Sequence, residues 1–194
     1  MNWKVVWTFA VLLVVVVTLP GASAPVCSPP QVACGCTCCN VAPAISARTA
    51  YATAQPLAAN FASDAQLQMI MGSSVDMSGL LSGDFASWGF TWYSPSKQAT
   101  FLVSVGAGTP TTSQQSAAPP GPGIVQPAPS DWADSPAVLQ ATAGHRSPNA
   151  TVASLVVFNT TSFPTAPNQA VWGLSFNAGA NQLVSATGNY IGPQ

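Results

Sequence analysis

The sequence predicts an α+β fold made of two tandem copies of one unit, each a helix packed on an antiparallel sheet. The block Trp88–Trp92 returns 84 residues later as Trp172–Phe176, which indicates an internal duplication. Each copy is followed by a second matching block, LVSV at 102–105 and LVSA at 183–186. Large apolar residues alternate with other residues in these blocks, which is the period of a strand with one buried face.

Residues 1–24 are typical of a secretory signal peptide. Lys4 supplies one positive charge, an apolar run follows from Val5 to Leu19, and small residues come after Pro20. A bilayer span needs roughly 20 apolar residues, so a retained membrane anchor is the less favoured alternative. We therefore expect a protein that is secreted or lies at the cell surface or in the periplasm.

Residues 25–42 form a Cys- and Pro-rich leader in which we expect no regular structure. It holds all five cysteines, Cys27, Cys34, Cys36, Cys38 and Cys39. Exported thiols are usually oxidised, so disulfides are favoured, and the odd number leaves one cysteine for a second chain or as a free thiol. The close spacing of Cys34, Cys36, Cys38 and Cys39 also suits a soft ion, Cu(I) or Zn(II), which is the less favoured alternative.

The first unit is predicted at 43–106. Between 43 and 63 one helical face carries Ala47, Tyr51, Ala54, Ala58 and Phe61. Pro56 removes a backbone donor there and predicts either a kinked helix or two shorter ones. A strand is expected at 67–71, a turn region at 72–84, and then a hairpin whose second strand alternates at Phe101, Val103 and Val105.

The second unit is predicted at 131–194, after a Pro/Gly/Ser-rich linker or loop at 107–130. Asp134-Ser135-Pro136 is a good helix start, and Gly144 is expected to end this short helix. A strand follows at 152–158, and the second hairpin joins 172–176 to 182–186. A turn is predicted at 187–189.

The aromatic residues of the hairpins are predicted to form the core rather than a carbohydrate-stacking face, because strand alternation puts them on one side. They are Trp88, Phe90, Trp92, Trp172 and Phe176. Tyr93 and Trp132 are expected to be the most exposed aromatic residues. Asn149 and Asn159 each begin a glycosylation sequon.

Charge is scarce and excludes several function classes. Without Lys4 the chain has three cations and five acids, all aspartates, for a formal charge of −2. Nucleic-acid binding needs a basic surface, so we exclude it. General acid–base catalysis needs titratable groups, and the single histidine, His145, fits an exposed turn or a helix C-terminal cation. We therefore expect no enzyme and no cofactor.

The duplicated unit resembles the PepSY-like family of exported α+β domains, with cystatin-like halves. The resemblance rests on Asp131–Ala137 as a helix start and Leu183–Ile191 as a closing strand and glycine turn, with Phe61–Leu67 and Trp88–Tyr93 in the first half. It implies extracytoplasmic regulation, including protease inhibition in propeptides, and no catalytic residues. The predicted function is a secreted, non-enzymatic interaction or regulatory domain for an unidentified protein partner. The alternatives are a structural or assembly subunit crosslinked through the leader, or a soft-metal-binding protein.

Overall fold

The computed structural model describes residues 31–34, 37–40, 44–73, 83–106, 109–117, 127–145, 150–157, 165–166, 169–176 and 179–194. The chain divides into two compact units, Met1–Val41 and Ala42–Gln194. In the first unit, β1 (Gln31–Cys34) and β2 (Thr37–Asn40) pair as an antiparallel hairpin. The expectation that the leader has no regular structure is wrong for these strands. Main-chain pairing across a short connection satisfies backbone groups without any large core.

The second unit has an α+β fold, as predicted, and each half is a helix followed by four strands. The first half contains α1 (Ala47–Phe61), β3 (Gln66–Ser73), β4 (Ser87–Ser94), β5 (Ala99–Gly106) and β6 (Thr109–Ser116). The second half repeats this order with α2 (Ser135–Ala141), β7 (Ala150–Val157), β8 (Ala170–Phe176), β9 (Gln182–Ser185) and β10 (Tyr190–Pro193).

The two halves share one sheet. Among the described strands of this unit, eight form a sheet in the order β10-β9-β8-β7-β3-β4-β5-β6, with every neighbouring pair antiparallel. The first strand of each half lies at the centre, where Met71 of β3 is opposite Ser154 of β7. This pairing joins two edges that would otherwise present unpaired backbone groups.

Residues 109–116 form the edge strand β6, so the prediction of a linker or loop is wrong for them. The prediction assumed that a polar segment cannot bury enough surface to become ordered. An edge strand needs little burial, because its main chain pairs with one neighbour while its side chains stay in solvent. Pro110 is tolerated at an edge because its missing N–H need not serve a second strand. The short edge strand β10 was not predicted either, and it follows a turn at Gly188, where φ is +97°.

Helix α1 runs without interruption through Pro56, so the alternative of two shorter helices is wrong. Its N-cap is Ser46, whose hydroxyl accepts a hydrogen bond from the Thr49 N–H at 3.3 Å. Tyr51 lies half-buried beside the buried face, which consists of Ala47, Ala50, Ala54, Ala58 and Phe61. Small side chains on this face let the helix approach the sheet closely.

One core cluster takes side chains from both halves. Trp88 on β4 and Trp172 on β8 occupy the second strand of each half and are 1% and 0% exposed. Their rings meet edge-to-face with centroids 6.4 Å apart. Phe90, Trp92 and Phe176 are buried as well, so all five aromatic residues expected in the core lie there.

Candidate interaction surface

The alternation that buries the tryptophans turns other side chains to the opposite face of the sheet. On β4, Gly89, Thr91 and Tyr93 are half-buried between buried neighbours. The register places Met71 beside Gly89, and Thr91 beside Leu102. Directly opposite residues share a face of the sheet. We call this surface the outer patch, which consists of Met71, Gly89, Thr91, Tyr93, Leu102 and Ser104.

The outer patch belongs to a sheet without charge. Strands β1 to β10 contain no Asp, Glu, Lys, Arg or His. Among the residues that the structure describes, Met71 is the one large hydrophobic side chain that is exposed, at 47%. Centres of protein interfaces are enriched in Met and Tyr and depleted in charged residues. In binding surfaces Tyr supplies large, rigid contact area, and Ser and Gly supply adaptable hydrogen bonding.

The second half does not present the same surface. There Ala166, from the segment before β8, is 2% exposed and packs with Val171 and Leu183. Met69 and Ile191 border this small cluster. Because Val171 and Leu183 lie on the face opposite Trp172 and Val184, this part of the outer face is covered from within the chain. The duplication therefore leaves two chemically different outer faces.

Trp132 is buried, at 2% exposure, so the expectation that it is exposed is wrong. Its ring makes edge-to-face contacts with Tyr51 and Trp172, at centroid distances of 5.6 and 6.0 Å. The Arg48 guanidinium lies 3.7 Å above the ring centroid and covers it by a cation–π contact. The same guanidinium donates to the carbonyl oxygens of Ser130, at 3.2 Å, and of Trp132. Tyr93, the other aromatic residue expected at the surface, is half-buried in the outer patch.

The N-termini of the two helices are held together by side chains of the second half. Asp134 caps α2, at the helix start predicted from Asp134-Ser135-Pro136, and its Oδ1 accepts from the backbone N–H groups of Ser135 at 2.8 Å and of Arg48 at 2.9 Å. Ser135 Oγ accepts from the Ala47 N–H at 2.9 Å. These contacts satisfy helix N–H groups that have no partner within the helix. The role of Asp134 and Ser135 is therefore structural.

A second polar cluster fixes the turn between β4 and β5. Asp64 accepts from Ser94 Oγ at 2.6 Å and from the Ser96 N–H at 2.8 Å. The hydrogen bond from the Ser94 side chain, and then that from the Ser96 backbone, lower the pKa of Asp64. Lys97 donates from Nζ to the Phe61 carbonyl and lies over the Phe61 ring. This cluster also holds a turn rather than a reacting group.

Clefts on the surface of the described residues include one of about 450 Å³ and one of about 190 Å³. The larger of these is lined by Pro127, Pro129, Gln169, Ala170 and residues 185–187, none of which titrates near neutral pH. The smaller lies between α1 and β4 and includes Tyr51 and Trp92. Burial raises the pKa of Tyr51, and Arg48 opposes this shift in part. Neither lining brings a nucleophile to a base.

The other predicted site residues are scattered. His145 lies exposed in the turn after α2, and its ring stacks on Tyr190 with centroids 4.0 Å apart. In the β1–β2 register, Cys34, Cys38 and Cys39 are opposite Thr37, Ala33 and Val32. Within the described ranges, no group of three or more His, Cys, Asp or Glu is placed to hold a metal ion. The signal peptide, Cys27, Cys36, Asn149 and Asn159 lie outside the described residues.

Comparison with solved structures finds a fold relative. A putative lipoprotein from Clostridium difficile 630, solved at 1.85 Å, aligns with a TM-score of 0.53 over 74% of this chain and 91% of that chain. The sequence identity is 7%, so the likeness concerns the fold alone. No family model matches the chain, and no curated protein matches it. The PepSY-like resemblance therefore stays a prediction. Among the described residues, no helix is long and apolar enough to cross a membrane.

Proposed function

We propose that this protein is a secreted, non-enzymatic interaction domain that holds a partner protein on the outer patch. The observation that carries the proposal is an accessible sheet face that combines the exposed Met71 with Tyr93, hydroxyl groups and glycine. The strands beneath it contain no charged residue. Docking a protein there desolvates no ionised group on this side, which removes a large penalty of association.

The partner has an uncharged contact surface. A charged group from the partner would be buried against Met71 and Leu102 with no opposite charge to meet it, and an unpaired buried charge is strongly unfavourable. The hydroxyls of Thr91, Tyr93 and Ser104 can instead exchange hydrogen bonds with amide, hydroxyl or backbone groups. Because the patch lies on paired strands over a packed core, little conformational entropy is lost on binding. The protein then regulates its partner by occupying the partner's contact surface rather than by catalysing a reaction.

Site-specific photo-crosslinking tests this proposal. A photo-reactive residue at Thr91, in protein collected from its own export compartment, is expected to give one adduct of defined mass. Met71→Lys should abolish that adduct, since it places a charge at the centre of the contact. The matched control carries the crosslinker at Asn60, on the exposed side of α1, and Asn60→Lys should leave the Thr91 adduct intact. Equal adducts at both positions, or insensitivity to Met71→Lys, would contradict the proposal.

The register of the β1–β2 hairpin favours a second candidate, an assembly subunit crosslinked through its leader. None of Cys34, Cys38 and Cys39 is the cross-strand partner of another, so the register of the hairpin places no two of them directly opposite each other. Denaturing electrophoresis with and without reductant separates the candidates. Reducible oligomers support assembly, and a single band in both lanes supports the interaction domain alone. Stoichiometric copper or zinc in protein purified from the export compartment would support the soft-metal alternative.

A further inference from the structure

One edge of the shared sheet lacks, over most of its length, the features that usually protect an edge. In the described part of the chain, β6 pairs only with β5 and ends the strand order. Its residues 109–111, 113, 115 and 116 are exposed, and the strand Thr109–Ser116 contains no charge. An edge of this kind presents a row of backbone donors and acceptors to any strand that approaches it.

The opposite edge is protected. Strand β10 has four residues, its register with β9 shifts between Tyr190 and Gly192, and it ends at Pro193. Short length, an irregularity and proline are devices that discourage edge-to-edge pairing. On β6 such features occur only at the beginning, where Pro110 lies and the register shifts. Residues 112–116 pair regularly with β5, and no described strand pairs with their other side.

We propose that β6 pairs antiparallel with β6 of a second copy of this chain, which makes a twofold dimer with one continuous sheet. The edge is its own complement, as an isologous interface requires. The formal charge of the whole chain is −1, and no charge lies on β5 or β6, so little repulsion opposes the approach of two copies. The dimer edge is distinct from the outer patch, and this inference does not rest on the proposed function.

The geometry of antiparallel pairing fixes the register. A strand residue turns its N–H and C=O to the same side, and the outward-facing residues alternate along the strand. Two copies can therefore exchange hydrogen bonds only when residues of the same parity are opposite each other, which places a residue on the twofold axis. The midpoint of the regular stretch 112–116 is Gln114, so Gln114 is opposite its own copy and Ser113 is opposite Gln115 of the other copy.

Charge placed on this edge tests the dimer. In the double variant Ser113→Lys/Gln115→Lys, each new lysine is opposite a lysine of the second copy, and directly opposed like charges destabilise a strand pair. We expect the wild-type chain to be a dimer in sedimentation equilibrium under reductant. The double variant should raise the dimer dissociation constant about tenfold or more. Near-UV circular dichroism of the core tryptophans verifies that the variant is folded.

The matched control is Thr187→Lys/Asn189→Lys, which adds the same charge in an exposed turn away from β6. It should dimerise like wild type. Hydrogen exchange of the outward-facing amides within 112–116 should slow as the wild-type concentration rises. A wild-type chain that is monomeric at every concentration overturns the proposal. So does a double variant that dimerises as tightly as wild type, or a control that weakens the dimer equally.

Discussion

Gly72→Ala tests how tightly the core is packed where β3 meets β4. Gly72 is opposite Trp88, and a Cβ at position 72 would lie 2.5 Å from Cζ3 of that indole. The ring has little room to move, because Nε1 donates to the Ile45 carbonyl at 2.7 Å and the ring contacts Phe85 and Trp172. The added methyl group must therefore displace either the buried indole or the backbone of β3.

The expected loss of stability is the balance of two destabilising effects and one stabilising effect. Overpacking a close-packed core destabilises by about 1–3 kcal/mol. Weakening the indole hydrogen bond to Ile45 adds to this loss, since an unsatisfied buried donor costs about 1–3 kcal/mol. Restricting the unfolded chain recovers only about 0.4–1 kcal/mol. We expect a net loss of about 1–3 kcal/mol, which for a domain of this size lowers Tm by roughly 2–12 °C.

Urea unfolding followed by tryptophan fluorescence measures this loss, with thermal circular dichroism as a second assay. Gly89→Ala is the matched control, because Gly89 lies on the neighbouring strand and its Cβ would meet the Met71 carbonyl at an ordinary 3.7 Å. The control should unfold within about 0.5 kcal/mol of wild type. A Gly72→Ala protein as stable as wild type, or a control that loses as much, would refute the packing argument.

Three further predictions concern the core, pH and the leader. Trp172→Ala should lower the free energy of unfolding, measured in urea, by roughly 3–5 kcal/mol, as for other large core aromatics. A variant as stable as wild type would contradict the burial of the Trp172 side chain. Because folding lowers the pKa of Asp64, its ionised carboxylate contributes stability that is fully present above the unfolded-state pKa of 3.8. This stability is lost as the pH falls through the lower pKa of the folded state. In an acid titration, Asp64→Asn should therefore lose less stability than wild type below about pH 3.8. Equal losses of stability in the two proteins would contradict this. Deleting residues 25–40 should leave Tm nearly unchanged, because Ala42–Gln194 is a separate compact unit, whereas a large fall in Tm would mean that the leader packs on it.

Local periodicity was enough to predict the framework of the fold. The alternation around Trp88 and Trp172 identified the hairpins and their buried face, and the repeat identified the two halves. Asp134-Ser135-Pro136 was recognisable as a helix start because capping depends on a few adjacent residues. These features are encoded by neighbours in sequence, so the tertiary structure only had to bring compatible elements together.

The candidate site could be predicted only in part. Alternation marks Gly89, Thr91 and Tyr93 as facing away from the helices, but it does not tell whether solvent or another layer lies there. The second half illustrates this point, since Ala166 covers its outer face. A sequence signal does exist, because the strands lack charge, but composition alone shows it as low overall charge rather than as the property of one surface.

Local sequence thus determined the α+β class, the repeat, the hairpins and the buried aromatics, because each of these follows from residues a few positions apart. Only the tertiary structure decided that β3 and β7 join the halves into one sheet, that a polar segment becomes the edge strand β6, and that Arg48 covers a buried Trp132. These outcomes depend on contacts between segments distant in the chain. An edge strand or a covered ring is stabilised by its neighbour in space, and no period in its own sequence records which neighbour that is.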